Sequence, residues 1–293
     1  MFQIFAEITN IFGYIMKFLY DICQNYGIAI IIFTVIIKLL QLPLSIKQQK
    51  AMEKNAEMQE EIKKIQFKYK NDQEKMNNEI LELYKKEKIS PFSGCFMSII
   101  QIVLILSIFY LVKSPLTYME KVSDEKLNNY KNQLIQENKL TNEVYQEIDL
   151  MNEYEFLKQK NPEDKEIEKL NLNMDFFGLD LKKVPQQHLN DYKVYIIPVL
   201  YIISSFAMIK ITNKMQEKMI GTNKKEIDGT TGKEVEAQEE NPMLQANKMM
   251  SWMMPIMSIS IAMVAPLGLA LYWLVSNILM ILERIILDKY IKA

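Results

Sequence analysis

The sequence predicts an all-α, polytopic membrane protein with five transmembrane helices, an N-terminal interfacial helix and a helical hairpin. Three observations carry that expectation. Five mostly apolar stretches recur along the chain, each near the roughly 20 residues that a helix needs to cross a bilayer core of about 30 Å. Hydrophobic residues, 49% of the total, and charged ones, 24%, fall in separate blocks instead of alternating, as membrane proteins segregate them. Lysines crowd into two of the connections between spans and leave the tightest one bare, which sets an orientation.

The first element is residues 1–26. Ile4, Phe5, Ile8, Ile11, Phe12, Ile15, Met16, Phe18 and Leu19 recur at helical spacing around Glu7, Asn10 and Lys17, the pattern of a helix lying on a membrane surface. A basic start, a compact apolar core and a small-residue cleavage site are all missing, so this is not read as a signal peptide. Spans follow at 27–46, 91–112, 192–210, 249–265 and 266–287, the last two joined only by the tight "APLG" turn. Between the first two lies 47–90, where Met58, Ile62, Ile65 and Tyr69, then Met76, Ile80, Leu83 and Ile89, repeat every three or four residues on either side of "KNDQ". That spacing predicts two antiparallel helices. Residues 113–191 are rich in Lys, Glu and Asn and predict helix from about Lys121 to Lys160, interrupted at "NPED", then "NMDFFGLDL" with interfacial aromatics. The 211–248 loop contains "GTNKKEIDGTTGKEVEAQEENP", polar, glycine-bearing and aperiodic, and is expected to be flexible; 288–293 is a short tail.

Lysine counts orient the whole. Eleven lie between Lys47 and Lys88 and seven between Lys210 and Lys248, with none in "APLG". Both loops and the C-terminus are therefore expected in the cytoplasm of a bacterial plasma membrane, with the N-terminus and 113–191 outside.

Within the first span stands Lys38, where a charge costs roughly 2.5–3.5 kcal/mol on insertion scales. Ile46 is about 12 Å of helix away at 1.5 Å per residue, more than a lysine stem reaches by snorkelling. The only carboxylate in the five spans is Glu283, near the end of the last one, so a water-filled recess is one reading of Lys38, and snorkelling from a span bent at Pro43 is the other. Thr34, one turn earlier, Gln101 in the second span, and Ser276 with Asn277 in the last could line one polar recess; hydrogen-bonded glue between helices explains them equally well. Cys23 and Cys95 are far apart, His188 is the only histidine, and neither a glycine-rich phosphate loop nor a spaced catalytic triad is present. Nothing in the sequence thus suggests an enzyme, a metal, another cofactor or a nucleic-acid site.

These blocks contain "NYGIAIIIFTVIIKLLQLPLSIKQQKAM", "SPFSGCFMSIIQIVLILSIFYLV", "MMPIM" and "APLGLALYWLVSN", and in that order the sequence resembles the YidC/Oxa/Alb family of membrane protein insertases. The resemblance implies five spans around a hydrophilic groove open to the cytoplasm and to lipid, with a cytoplasmic helical hairpin between the first two spans. It places the family's groove arginine on Lys38, its first-span threonine on Thr34, its second-span glutamine on Gln101 and its final-span aromatic pair on Tyr272 and Trp273. Two second-span prolines common in the family are Met97 and Val103 here, the 113–191 segment is much longer than in compact members, and the tail "DKYIKA" lacks the basic ribosome-binding extension of some. The implied function is insertion and chaperoning of nascent membrane proteins into the lipid bilayer without ATP, alone or with a Sec translocon and the ribosome. A small-solute transporter or channel subunit and a membrane scaffold acting through its hairpin are the alternatives. Inverted repeats and paired broken spans, which mark transporters, are not evident.

Overall fold

The computed structural model describes residues 2–87, 93–140, 144–220, 225–227, 234–236 and 260–291; several side chains within these ranges, Gln101 among them, lie outside the described residues. The protein is mostly helical. Three described helices are long and apolar enough to cross a membrane, Tyr26–Lys50, Tyr192–Met215 and Leu267–Leu287, and Ile102–Lys113 is a shorter apolar helix. Most of the span expected at 249–265 lies outside the described residues, as do Cys95 and Met97 as side chains. Two compact units share the chain: Met1–Leu39 with Ile100–Ser204 and Ser258–Leu279, and Leu40–Ile99 with Ser205–Met257 and Met280–Ala293.

In the first unit, helix α1 (Phe2–Cys23) buries Phe12, Met16, Leu19 and Tyr20 on one side. Its other side exposes Ile11, Tyr14, Phe18 and Ile22, each more than half accessible, so apolar residues occupy both faces. Gly13 sets the approach, because a Cβ there would stand 1.9 Å from the Tyr118 carbonyl oxygen. The chain leaves α1 through Gln24 in the left-handed region (φ 52), and Asn25 then caps the next helix by accepting the Ile28 N–H at 3.1 Å.

That helix, α2 (Tyr26–Lys68), runs unbroken for 43 residues. The sequence suggested a boundary after Ile46, but 47–68 holds no Gly or Pro and is dominated by Lys, Gln, Glu and Met, all good helix formers. Pro43 lies inside the helix without ending it.

In the second unit, the far part of α2 packs on α3 (Gln73–Lys86) through Met58, Ile62 and Leu83, flanked by Ile65, Ile80 and Tyr84. Asp72 caps α3 by accepting the Lys75 N–H at 3.0 Å, and the Tyr69 hydroxyl donates to Glu79 at 3.1 Å. Ile89 lies outside the described residues. Within the 211–248 loop, Lys225–Ile227 pairs antiparallel with Glu234–Glu236, Lys225 standing opposite Glu236 in register.

Helix α4 (Ser93–Lys113) leads into the 113–191 segment. Instead of one long helix this segment folds as α5 (Pro115–Tyr118), α6 (Asp124–Gln136), α7 (Gln146–Asn152) and α8 (Tyr154–Lys160), followed by short 3-10 turns. Local chemistry explains the breaks. Ser123 caps α6 ahead of Asp124 and Glu125, which suit a helix start. Asn138 at φ 53 ends it, with the Lys139 N–H returning to the Leu134 carbonyl at 2.9 Å. Pro162 disfavours helix at Asn161 and stops α8. Leu127, Tyr130 and Leu134 share the buried face of α6, and Asp164 ties it down by accepting from the Tyr130 hydroxyl at 2.7 Å and from Lys126.

Next comes a two-stranded hairpin, β1 (Asp175–Phe176) and β2 (Leu179–Asp180), turned by Phe177 and Gly178 at φ 53 and 78. Two left-handed residues make the turn that suits strand twist, and Asn-Gly fills it best; a phenylalanine in the first position costs on the order of 1–3 kcal/mol. Helices α9 (Ile196–Ile220) and α10 (Leu267–Ile291) complete the description, with a helical turn over 260–264 before α10.

Candidate functional site

Burial along the four apolar helices changes in the same sense. In α2, Tyr26, Gly27, Ala29, Ile30, Phe33, Thr34 and Ile37 are buried, and from Lys38 to Lys50 only Gln49 is. In α4 the buried positions are Ser107, Ile108, Leu111 and Val112, with 102–106 partly or fully exposed. In α9, Ile197, Pro198, Tyr201, Ser204 and Ser205 are buried and the next is Met215; in α10 burial holds from Leu267 to Tyr272 and at Leu274 and Ser276, and returns at Leu287. Each helix is densely packed at the end that joins the 113–191 segment.

That segment completes the packed end with its backbone. The first N–H groups of a helix have no partner inside it, and leaving one unsatisfied in an apolar setting costs several kcal/mol. Here the Asn173 carbonyl accepts the Tyr26 N–H at 2.9 Å, and the Lys183 and Leu181 carbonyls accept those of Leu267 and Gly268, both at 3.0 Å. Asn25 donates to the Asp175 carbonyl at 2.7 Å. At the end of α4, the buried Glu147 carboxylate accepts the Leu116 and Thr117 N–H groups at 2.7 and 3.1 Å and the Thr117 hydroxyl at 2.5 Å. Burial pushes its pKa up, against the downward pull of those three bonds. Glu120 is raised for the same reason, opposed by Lys17.

The residues singled out from sequence lie where this packing gives way. Thr34 is 1% exposed, and its hydroxyl donates to the Ile30 carbonyl of its own helix at 2.6 Å. Lys38, one turn on, is half-buried at the last position before Leu39 and Leu40 turn fully outward. Tyr272 and Ser276 are buried, and the Ser276 hydroxyl makes no hydrogen bond among the described residues. Trp273 and Asn277 are half-buried. Asn277 donates to the Ser204 hydroxyl at 3.3 Å, and Trp273 lies against Tyr201 with ring centroids 5.8 Å apart. The structure thus joins Trp273 and Asn277 to α9. It puts Thr34, Tyr272 and Ser276 in the core and Lys38 and Asn277 at its margin; the Gln101 side chain lies outside the described residues.

Two contributors escaped the sequence reading. Tyr201 and Ser204 come from α9, where "YIISSF" interrupts an apolar run with two serines and was the available signal. The carbonyls that cap α2 and α10 had none, since any residue supplies one. Among the described residues no three His, Cys, Asp or Glu side chains group as metal ligands. Half-buried Lys38 on α2, and half-buried Trp273 and Asn277 on α10, supply a cation, an indole and an amide for polar contact.

Comparison with known proteins places these elements. The family model described as 60Kd inner membrane protein matches residues 18–293. The chain is 44% identical over 94 residues to the membrane protein insertase YidC of Oleidesulfovibrio alaskensis, covering 32% of this chain and 18% of that protein. It is 42% identical over 100 residues to the protein of the same name from Buchnera aphidicola, covering 34% and 19%. With that from Caldanaerobacter subterraneus it shares 35% over 109 residues, 37% of this chain and 53% of the relative. The aligned stretch is therefore under a fifth of the first two relatives and about half of the third.

Proposed function

This chain belongs to the 60Kd inner membrane protein family, the YidC/Oxa family, and we propose that it is a membrane protein insertase and chaperone that passes nascent segments into the bilayer without ATP. The observation that carries the reading is the family match over 18–293 together with a lysine, Lys38, held half-buried where the packed part of α2 ends. The proposed architecture has five spans, at 27–46, 91–112, 192–210, 249–265 and 266–287, with the N-terminus outside and the α2–α3 pair and C-terminus in the cytoplasm.

In this reading the loosely packed part of the spans is a groove open to the cytoplasm. Lys38 hydrates and attracts a polar or acidic segment in a setting of reduced dielectric, where opposite charges interact more strongly than in water. Trp273 offers an amphipathic surface beside it, and Gln101 and Asn277 offer hydrogen bonds. The packed end, with Thr34, Tyr272 and Ser276, stops full passage of water and solutes. The apolar part of the substrate then leaves sideways into lipid, driven by burial at about 25 cal/mol per Å². Nascent membrane proteins are the substrates, with the bilayer as acceptor; a Sec translocon and the ribosome are further proposed partners.

The test is depletion of the protein in its host while insertion of membrane proteins with short translocated loops is followed. Their accumulation outside the membrane is expected. Normal insertion, with altered solute flux instead, would turn the reading toward a transporter.

A further inference from the structure

We propose that the β1–β2 hairpin anchors the protein in the lipid headgroup region, with Phe177 as the inserting side chain. Phe177 is 88% exposed, and its described ring contact is with Phe176, edge-on with centroids 4.7 Å apart. It also occupies a left-handed backbone position, φ 53, that a bulky side chain disfavours. Within the protein the residue therefore gains little and strains the turn, so whatever favours it lies outside.

The fold sets the level at which it is presented. Phe176, its neighbour, packs so closely on the first turn of the first span that a Cβ on Gly27 would fall 2.4 Å from its ring. Consecutive Cα atoms are about 3.8 Å apart, so the tip stands only a few ångströms from the start of a span. The interfacial layer on each side of a bilayer is roughly 5–8 Å deep. A second observation fixes the same level: the cleft beside the hairpin is lined by Asp175, Gly178 and Lys183 together with Lys193 and Leu267, and the last two stand at the starts of the spans Tyr192–Met215 and Leu267–Leu287. Tyr192, the first residue of one of them, is 75% exposed. An exposed aromatic side chain held level with three span ends, among lysines, fits the water–lipid boundary that Trp and Tyr favour. The occupant is thus the bilayer interface.

The inference uses the spans and not the insertion activity, so loss of the insertase reading leaves it standing. The experiment reconstitutes the full chain and Phe177→Trp into vesicles of phosphatidylethanolamine and phosphatidylglycerol doped with a phosphatidylcholine brominated on its upper acyl chain. The emission that F177W adds over the unsubstituted chain is expected to be quenched by lipid-borne bromine about threefold or more over aqueous iodide, as an interfacial indole would be. Preferential quenching by iodide overturns the proposal. Because tryptophan itself seeks interfaces, a second variant is needed. Phe177→Asn relieves the turn, yet in the same vesicles it should let protease cut the hairpin several-fold faster. Unchanged or slower cleavage would show that lipid contact at Phe177 contributes nothing.

Discussion

The two ends of the packed helices solve the problem of polar groups in an apolar medium in opposite ways. Where the spans meet the 113–191 segment, the polar atoms are fixed: the Tyr26, Leu267 and Gly268 N–H groups are capped by carbonyls, Glu147 is bonded three times, and Thr34 is closed on its own backbone. Further along the same helices, Lys38, Trp273 and Asn277 stand half-buried, and the bond from Asn277 to Ser204 is long at 3.3 Å. Groups bonded in this way make a rigid end. Under the proposed function, groups at the margin exchange a protein partner for a passing one, and the difference would separate what holds the fold from what handles a substrate.

The largest effect is expected at the rigid end. Gly13→Ala would place a Cβ 1.9 Å from the Tyr118 carbonyl oxygen, a backbone atom that no side-chain rotation can clear. Overpacking of this kind costs about 3 kcal/mol, so thermal unfolding in detergent should shift down markedly, or α1 should detach and become sensitive to protease. An unchanged melting temperature with α1 still protected would mean that this end is not rigid.

At the other end, Lys38→Glu should lower insertion about tenfold, a barrier change of about 1.4 kcal/mol, while leaving the melting temperature nearly unchanged. Lys38→Arg should keep activity because it keeps the sign of the charge, although a guanidinium arranges its donors differently. Complementation in a depleted host, scored on a substrate with a short acidic translocated tail and on protein abundance, reads both. Equal activity of K38E at equal abundance would remove Lys38 from the mechanism.

The same contrast decides what sequence could disclose. The three described helices long and apolar enough to cross a membrane and the Met58–Ile62–Leu83 contact followed from spacing, because amphipathic period and apolar length are properties of the chain itself. Lys38 stood out because charge is costly in an apolar run. The folding of 113–191 into separate short helices was hidden, since its polar composition reads as continuous helix until Tyr130 and Asp164 are brought together across 34 residues. The split of the site residues into core and margin was hidden too: Thr34 and Lys38 share one helix face by spacing, and only the depth of packing around each tells them apart.

An effect of intermediate size is expected from Glu147. Burial raises its folded pKa above the usual carboxylate value, so its contribution to stability is present below the unfolded pKa and is lost as pH rises through the raised folded one. Tyr26 and Tyr118 feel its charge, and Lys131 offsets part of it. Asp164 and Asp191, lowered by Lys126 and Lys183, contribute with the opposite sign. The difference between Glu147→Gln and the unsubstituted protein is therefore the clean measure. Glutamine can accept both N–H groups on its oxygen while its amide donates to a rotated Thr117 hydroxyl, so E147Q should gain relative stability as pH rises through the mildly acidic range. A pH-independent difference would show that Glu147 does not titrate there.

The smallest effect is expected where the two helices of the margin touch. The bond from Asn277 to Ser204 is long at 3.3 Å, and side-chain hydrogen bonds between membrane helices average about 0.6 kcal/mol in double-mutant cycles. Ser204→Ala, Asn277→Ala and the pair should therefore show a coupling near that value in detergent unfolding. Their effect on insertion tells more. If Asn277 serves a passing segment, Asn277→Ala should slow insertion while Ser204→Ala, which releases the amide and gives up only the hydroxyl's bond to the Tyr201 carbonyl of its own helix, should leave it unchanged or faster. Equal loss in both would mean that the bond itself, and the α9–α10 packing it holds, is what insertion needs, and the margin would then be as structural as the capped end.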